Sequence, residues 1–140
     1  MTIKISMLLG IDFGSKRVGL AVAPEGGPAA PLDLIEWGSG TSLPDENALT
    51  DKIVSIARQQ RADVIVVGMP TAESQSRVAV EGFVHALTDA GGFSVVTEDE
   101  RMSTKLADRL TGYKGVAKPD AVAAMVILDA YIERSNLVNE

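Results

Sequence analysis

The sequence predicts an α/β fold, a mixed five-stranded sheet with helices on both faces, in the order βββαβαβαα. Three observations carry that prediction. Residues 5–12 (ISMLLGID) and 17–24 (RVGLAVAP) are strand-like runs joined by a short segment containing Gly14, which is the pattern of a hairpin. Residues 62–67 (ADVIVV) are apolar apart from Asp63, as expected of a strand buried on both faces. The stretches on either side of that strand carry apolar residues at helical spacing.

After the hairpin, Gly26, Gly27, Pro28 and Pro31 mark a turn, and residues 32–37 form a third strand, making the first three strands antiparallel. Residues 38–44 are loop. A helix follows over 45–60, with Ala48, Leu49, Ile53, Ile56 and Ala57 on one face and Asp45 and Glu46 at its positive N-terminal end. The buried strand ends at Gly68, Met69 and Pro70. A second helix runs over 75–90 with Val80, Phe83, Val84 and Leu87 inward, and residues 93–97 form the fifth strand. Ser103 or Thr104 caps a short helix reaching Leu110, and Pro119 opens a last helix reaching Arg134.

The chain has 140 residues, 46% hydrophobic and 23% charged, which suits one packed core and a single domain over 1–140. It has no cysteine, which removes disulfides, thiolate metal sites and a cysteine nucleophile. His85 is the only histidine, so a multi-histidine zinc centre is excluded and a Ser-His-Asp hydrolase disfavoured. No apolar run approaches the ~18 residues that span a bilayer, and the N-terminus lacks the pattern of a secretory leader. The expectation is a cytoplasmic protein with no membrane partner.

The net charge of -6 argues against coating nucleic acid by bulk electrostatics, but the charge is unevenly spread. Residues 25–51 hold six acids and no base, whereas residues 101–118 carry five bases against Asp108, a local net of +4. Three acids fall at element ends: Asp12 closing the first strand, Glu100 just past the fifth, and Asp120 in the first turn of the last helix. Carboxylates so placed reach a cleft and could together hold one or two hard divalent cations. Each also has an ordinary structural use, as a turn former, a solvated acidic loop over 98–100, or a helix N-terminal acid.

The segments GIDFGSKRVGLAVA, DVIVVGMP, EDERMST and PDAVAAMVILDAY resemble, in this order, the YqgF/RuvX family. The resemblance covers residues 8–131, and the DERxST segment followed by an alanine-rich helix opening with Asp is its most diagnostic part. It implies an RNase H-like nuclease, of the kind described as Holliday-junction resolvases in DNA recombination and repair and as nucleases processing the 5′ end of pre-16S rRNA. The family's catalytic acids map onto Asp12, Glu100 and Asp120. The implied chemistry is phosphodiester hydrolysis with two Mg²⁺ or Mn²⁺ ions, Asp12 bridging them and the other two acids each holding one side. The implied partner is branched DNA or structured precursor rRNA; junction cleavage also implies a C2 homodimer.

Around that cleft the basic residues acquire a use. Arg101 follows Glu100, Lys105 and Arg109 share a helix face, and Lys114 and Lys118 lead to Asp120. With Lys16 and Arg17 at the rim they form the expected substrate-binding set, together with the hydroxyls of Ser103 and Thr104. Trp37 reads as a core or sheet-face residue and His85 as a helix-margin residue; Gly14 and Gly19 serve backbone geometry and close packing. The sequence departs from the family at residues 71–77, where an Asn/Asp-Gly stretch is usual, and in a short connection between Thr104 and Asp120. Two rival readings stand beside this one. The hairpin also resembles the phosphate loop of actin-like ATPases and sugar kinases, although one lobe of 140 residues is too short to close over a nucleotide. The other rival is a nuclease-like fold that binds nucleic acid without cutting it.

Overall fold

Strand β1 (Met7–Phe13) divides its side chains between two cores. Leu9 and Ile11 are fully buried on one face, while Leu8, Gly10 and Asp12 point to the other, as the two-residue period of a strand requires. β1 pairs antiparallel with β2 (Arg17–Pro24), and β2 pairs antiparallel with β3 (Ala30–Glu36). On its other side β1 pairs parallel with β4 (Ala62–Met69), and β4 pairs parallel with β5 (Ser94–Asp99). The sheet order is β3-β2-β1-β4-β5. The computed structural model describes residues 6–70, 75–99 and 119–139, so the short helix expected to end at Leu110 lies outside the described residues.

Helices α1 (Glu46–Gln59) and α2 (Gln75–Ala90) cover one face. Asp45 caps α1 by accepting the Ala48 N–H at 2.9 Å. Leu49, Ile53, Val80, Phe83 and Leu87 pack there against Leu9, Ile11, Val18, Leu20, Ile65 and Val67. Helix α3 (Pro119–Asn139) covers the opposite face, where Ala124, Met125, Leu128 and Ile132 meet Leu8, Ala21, Ala23 and Val66. Among the described residues no helix is long and apolar enough to cross a membrane.

Several boundaries differ from the sequence expectation for identifiable reasons. β3 starts at Ala30 rather than Leu32, because Pro31 sits on an edge strand where its missing N–H costs little. The pairing shifts register between Leu20 and Ala21, opposite that proline. β5 takes in Glu98 and Asp99, which read as loop, and α3 continues five residues beyond Arg134.

What positions the rest of the molecule is how closely α3 lies on β1 and β2. A β-carbon added at Gly10 would stand 2.5 Å from Leu128 Cγ and 2.9 Å from the Ala124 carbonyl oxygen. At Gly19 it would stand 1.9 Å from the Asp120 carbonyl oxygen and 2.2 Å from its carbon. No side chain fits at either place. With Ala21 and Ala23 next along β2, these glycines form a smooth floor that lets the helix backbone descend onto the sheet.

Candidate functional site

Asp12 is the cross-strand partner of Gly19, so the two project on the same face of the sheet. The space a Gly19 side chain would take is filled by the backbone of Asp120. Asp12, near the end of β1, and Asp120, in the first turn of α3, are therefore brought side by side from 108 residues apart. Both are half-buried. On β4 the pairing with β1 runs to Val67, opposite Ile11, and the next β4 residue, Gly68, is the partner of Glu98 on β5. Gly68 contributes no side chain to that face.

A cation already reaches one of these acids. Arg17 Nε lies 3.6 Å from Asp120 Oδ2, with both side chains partly open to solvent. Arg17 is also in register with Glu36 of β3. Beyond it the end of the sheet opens into a groove of about 610 Å³ between the β1–β2 turn and the loop after β3.

The chain matches the RuvX family, described as Holliday junction resolvase, over residues 6–134. It belongs to the RuvX family. Its curated relatives include the "Putative pre-16S rRNA nuclease" of Salinibacter ruber, 35% identical over 91% of this chain and 93% of the relative. The protein of the same name from Shewanella oneidensis is 31% identical over 90% and 93%. Among solved structures, T. thermophilus RuvC in complex with a Holliday junction substrate superposes with a TM-score of 0.63 at 18% identity, covering 93% of this chain and 96% of that one. The Fowlpox virus resolvase bound to junction DNA gives 0.60 at 10% identity over 91% and 97%. These two likenesses establish the RNase H-like fold; the family establishes a nuclease.

Against that background, this RuvX-family chain places Asp12 and Asp120 together, with Lys16 and Arg17 exposed at the adjoining rim. Glu100, Arg101, Ser103, Thr104, Lys105, Arg109, Lys114 and Lys118 lie outside the described residues, as do positions 71–74 of the atypical loop. At the end of that loop Arg77 ties the start of α2 back to β4, donating to the Pro70 carbonyl at 3.1 Å. Among the described residues no three Asp, Glu, His or Cys side chains gather as a metal set. His85 is exposed and 3.7 Å from Asp89, one turn along α2, as a margin residue should be.

Sequence reasoning missed Glu98. It is buried in the α3 face of β5, with Oε2 2.5 Å from Arg134 Nη2 yet without aligned hydrogen-bond geometry. The signal was its two-residue spacing from Val96, which packs on the same face. Burial raises the Glu98 pKa above 4.5; Arg134 pulls it down and Asp99 pushes it up. Desolvation wins because Arg134 is largely exposed and its attraction is screened by solvent. A carboxyl whose folded-state pKa is raised costs nothing while protonated in both states, and subtracts stability as pH climbs through the folded value. Glu98→Gln is therefore expected to melt higher than wild type at neutral pH, with the gap closing towards about pH 4. Thermal melts across that range check it; a variant less stable at every pH would mean that the Arg134 contact outweighs the cost of burying the carboxylate.

Proposed function

We propose that this protein is a divalent-metal-dependent endonuclease hydrolysing phosphodiester bonds in structured precursor rRNA, with Asp12, Glu100 and Asp120 as its catalytic acids. The observation that carries the reading is the seating of Asp120 over Gly19, in register with Asp12. The donor set suits Mg²⁺ or Mn²⁺, since only hard oxygen ligands are offered and the chain has no cysteine. The Arg17 guanidinium, 3.6 Å from Asp120, supports a position that draws positive charge. Two such ions, when bound, would lower the pKa of a water nucleophile and offset the charge that builds on the phosphate.

The chain's own residues then divide the work. Asp12, Asp120 and Glu100 hold the ions, with Asp12 central because its strand lies in the middle of the sheet. Lys16 and Arg17 at one rim bind the strand backbone, and Arg101, Lys105, Arg109, Lys114 and Lys118 supply the remaining positive charge, with Ser103 and Thr104 as hydroxyl donors. A chain of net charge -6 touches a polyanion only where bases cluster, so binding should fall steeply with salt. The RNA substrate is favoured by the names of the relatives at 31–35% identity. Four-way junction DNA is the second reading, on the family's description, and it carries with it a C2 homodimer able to cut two strands.

The test presents purified protein and Mn²⁺ with precursor 16S rRNA, a four-way junction and linear duplex DNA of matched sequence. Selective cutting of the rRNA precursor supports the proposal, and selective cutting of the junction transfers it to DNA. Binding without cutting of any substrate would leave a nucleic-acid-binding module.

A further inference from the structure

The groove beside the acids has walls of two kinds. On one side the β1–β2 turn presents Lys16 and Arg17; on the other stand Glu36 at the end of β3 and Trp37, Ser39 and Thr41 from the loop after it. Its volume of about 610 Å³ falls in the ~300–1,000 Å³ range of clefts that enclose a single small organic group.

The groove is also pre-formed. The Trp37 indole N–H donates to the Gly14 carbonyl at 2.9 Å, and its backbone N–H donates to the Lys16 carbonyl at 3.0 Å. Its ring leans on Phe13 at 5.8 Å, and Phe13 stacks in turn on the fully buried Phe83 at 4.5 Å. The opposite lip is closed by the Gly38 N–H donating to the Leu43 carbonyl at 2.9 Å and by the Thr41 hydroxyl, which lies 2.8 Å from the Gly38 carbonyl. An aromatic group held this firmly costs little entropy when something packs on it.

Charge selects what that something is. Arg17 is drawn to Asp120 and stands opposite Glu36, so its charge is shared. Lys16 is exposed and makes no ion pair among the described residues. A cation with an aromatic wall beside it suits a phosphate bearing a base. We propose that this groove takes one unpaired nucleotide of the substrate strand, its phosphate on Lys16 and its base against Trp37. The inference rests on the nuclease reading, because the groove begins where Arg17 meets Asp120. A base inside a duplex has both faces covered by its neighbours, whereas a splayed one offers a face to an aromatic platform, whatever its identity. The strand would thus be held open next to the acids.

Trp37 is the only tryptophan, so its emission, excited where tyrosine does not absorb, reports on this groove alone. The experiment titrates the full chain in Ca²⁺ with end-labelled four-nucleotide single strands, as DNA and as RNA. Label anisotropy follows binding while tryptophan emission follows stacking. The expected result is saturable quenching that tracks the anisotropy curve, and an abasic strand that still binds but quenches little. Lys16→Glu should weaken binding roughly tenfold and lower the salt slope by about one. Trp37→Phe should weaken the base-bearing strand more than the abasic one. Binding with unchanged emission, equal quenching by blunt duplex, equal affinity for free mononucleotides, or no binding at all would each overturn the proposal. Cleavage in Mn²⁺ is read separately. Cutting with silent tryptophan sinks the groove alone, and quenching without cutting sinks the nuclease reading alone.

Discussion

Asp12→Asn is expected to abolish metal-dependent cleavage while substrate binding in Ca²⁺ is kept or improved. Replacing groups that merely orient a metal ligand costs about 10- to 100-fold, so neutralising a ligand itself should cost at least ~100-fold. Binding should survive because the amide removes a negative charge beside the phosphate backbone and keeps the side-chain shape. Stability should change by less than about 1 kcal/mol, since the substitution is isosteric. A paired assay on one substrate, cleavage in Mn²⁺ and binding in Ca²⁺, reads both effects. Full activity in the variant would point to a contaminating nuclease or a different site. Joint loss of binding and folding would return Asp12 to the role of a turn residue.

Gly19→Ala is expected to damage fold and site together. Its methyl group would overlap backbone atoms of Asp120 and Ala121, the nearest at 1.9 Å, and backbone cannot rotate out of the way. Relief requires the first turn of α3 to retreat by roughly 1 Å or more, opening the contacts it makes further along. Overpacking of this kind costs about 1–3 kcal/mol and occasionally more. The loss of unfolded-state entropy that normally favours Gly→Ala returns only ~0.4–1 kcal/mol, so destabilisation wins. Whatever folds should still cut poorly, because a displacement of about 1 Å at a reacting centre can cost ~100-fold. Urea unfolding and cleavage by the surviving folded fraction measure the two effects. A variant with wild-type stability and activity would mean that α3 is not seated on Gly19.

Local chemistry made most of the framework legible. Asp45 caps α1 as its side chain predicts, α2 spans the residues its apolar spacing marks, and the hairpin pairs over the expected strands. The misses come where tertiary context overrides local preference. Pro31 reads as a turn but is tolerated on an edge, and α3 runs on past Arg134 to Asn139. Glu98 reads as solvated because a buried carboxylate is exceptional; its partner Arg134 lies 36 residues away and has no local signature.

The site was legible in part. Asp12 and Asp120 stand out by their positions at element ends, and Gly19 as a place of close packing. That the helix packing on Gly19 is the one carrying Asp120 depends on a contact between residues 101 apart, which no periodicity encodes. The groove had no sequence signal. Trp37 reads as a core residue, and its indole does pack against the core, but it also lines an opening that exists only because the β1–β2 turn and the loop after β3 meet.

We propose that Asp12 and Asp120, the latter in the first turn of α3, bind a divalent cation. Mn²⁺ binding measured by electron paramagnetic resonance tests it without reference to any substrate, comparing wild type with Asp120→Asn and with an exposed-site control, Asp89→Asn on α2. Asp120→Asn is expected to weaken Mn²⁺ binding by at least ~10-fold, since a direct ligand would be lost, while Asp89→Asn should bind as wild type does. Equal Mn²⁺ affinity in all three proteins would contradict it.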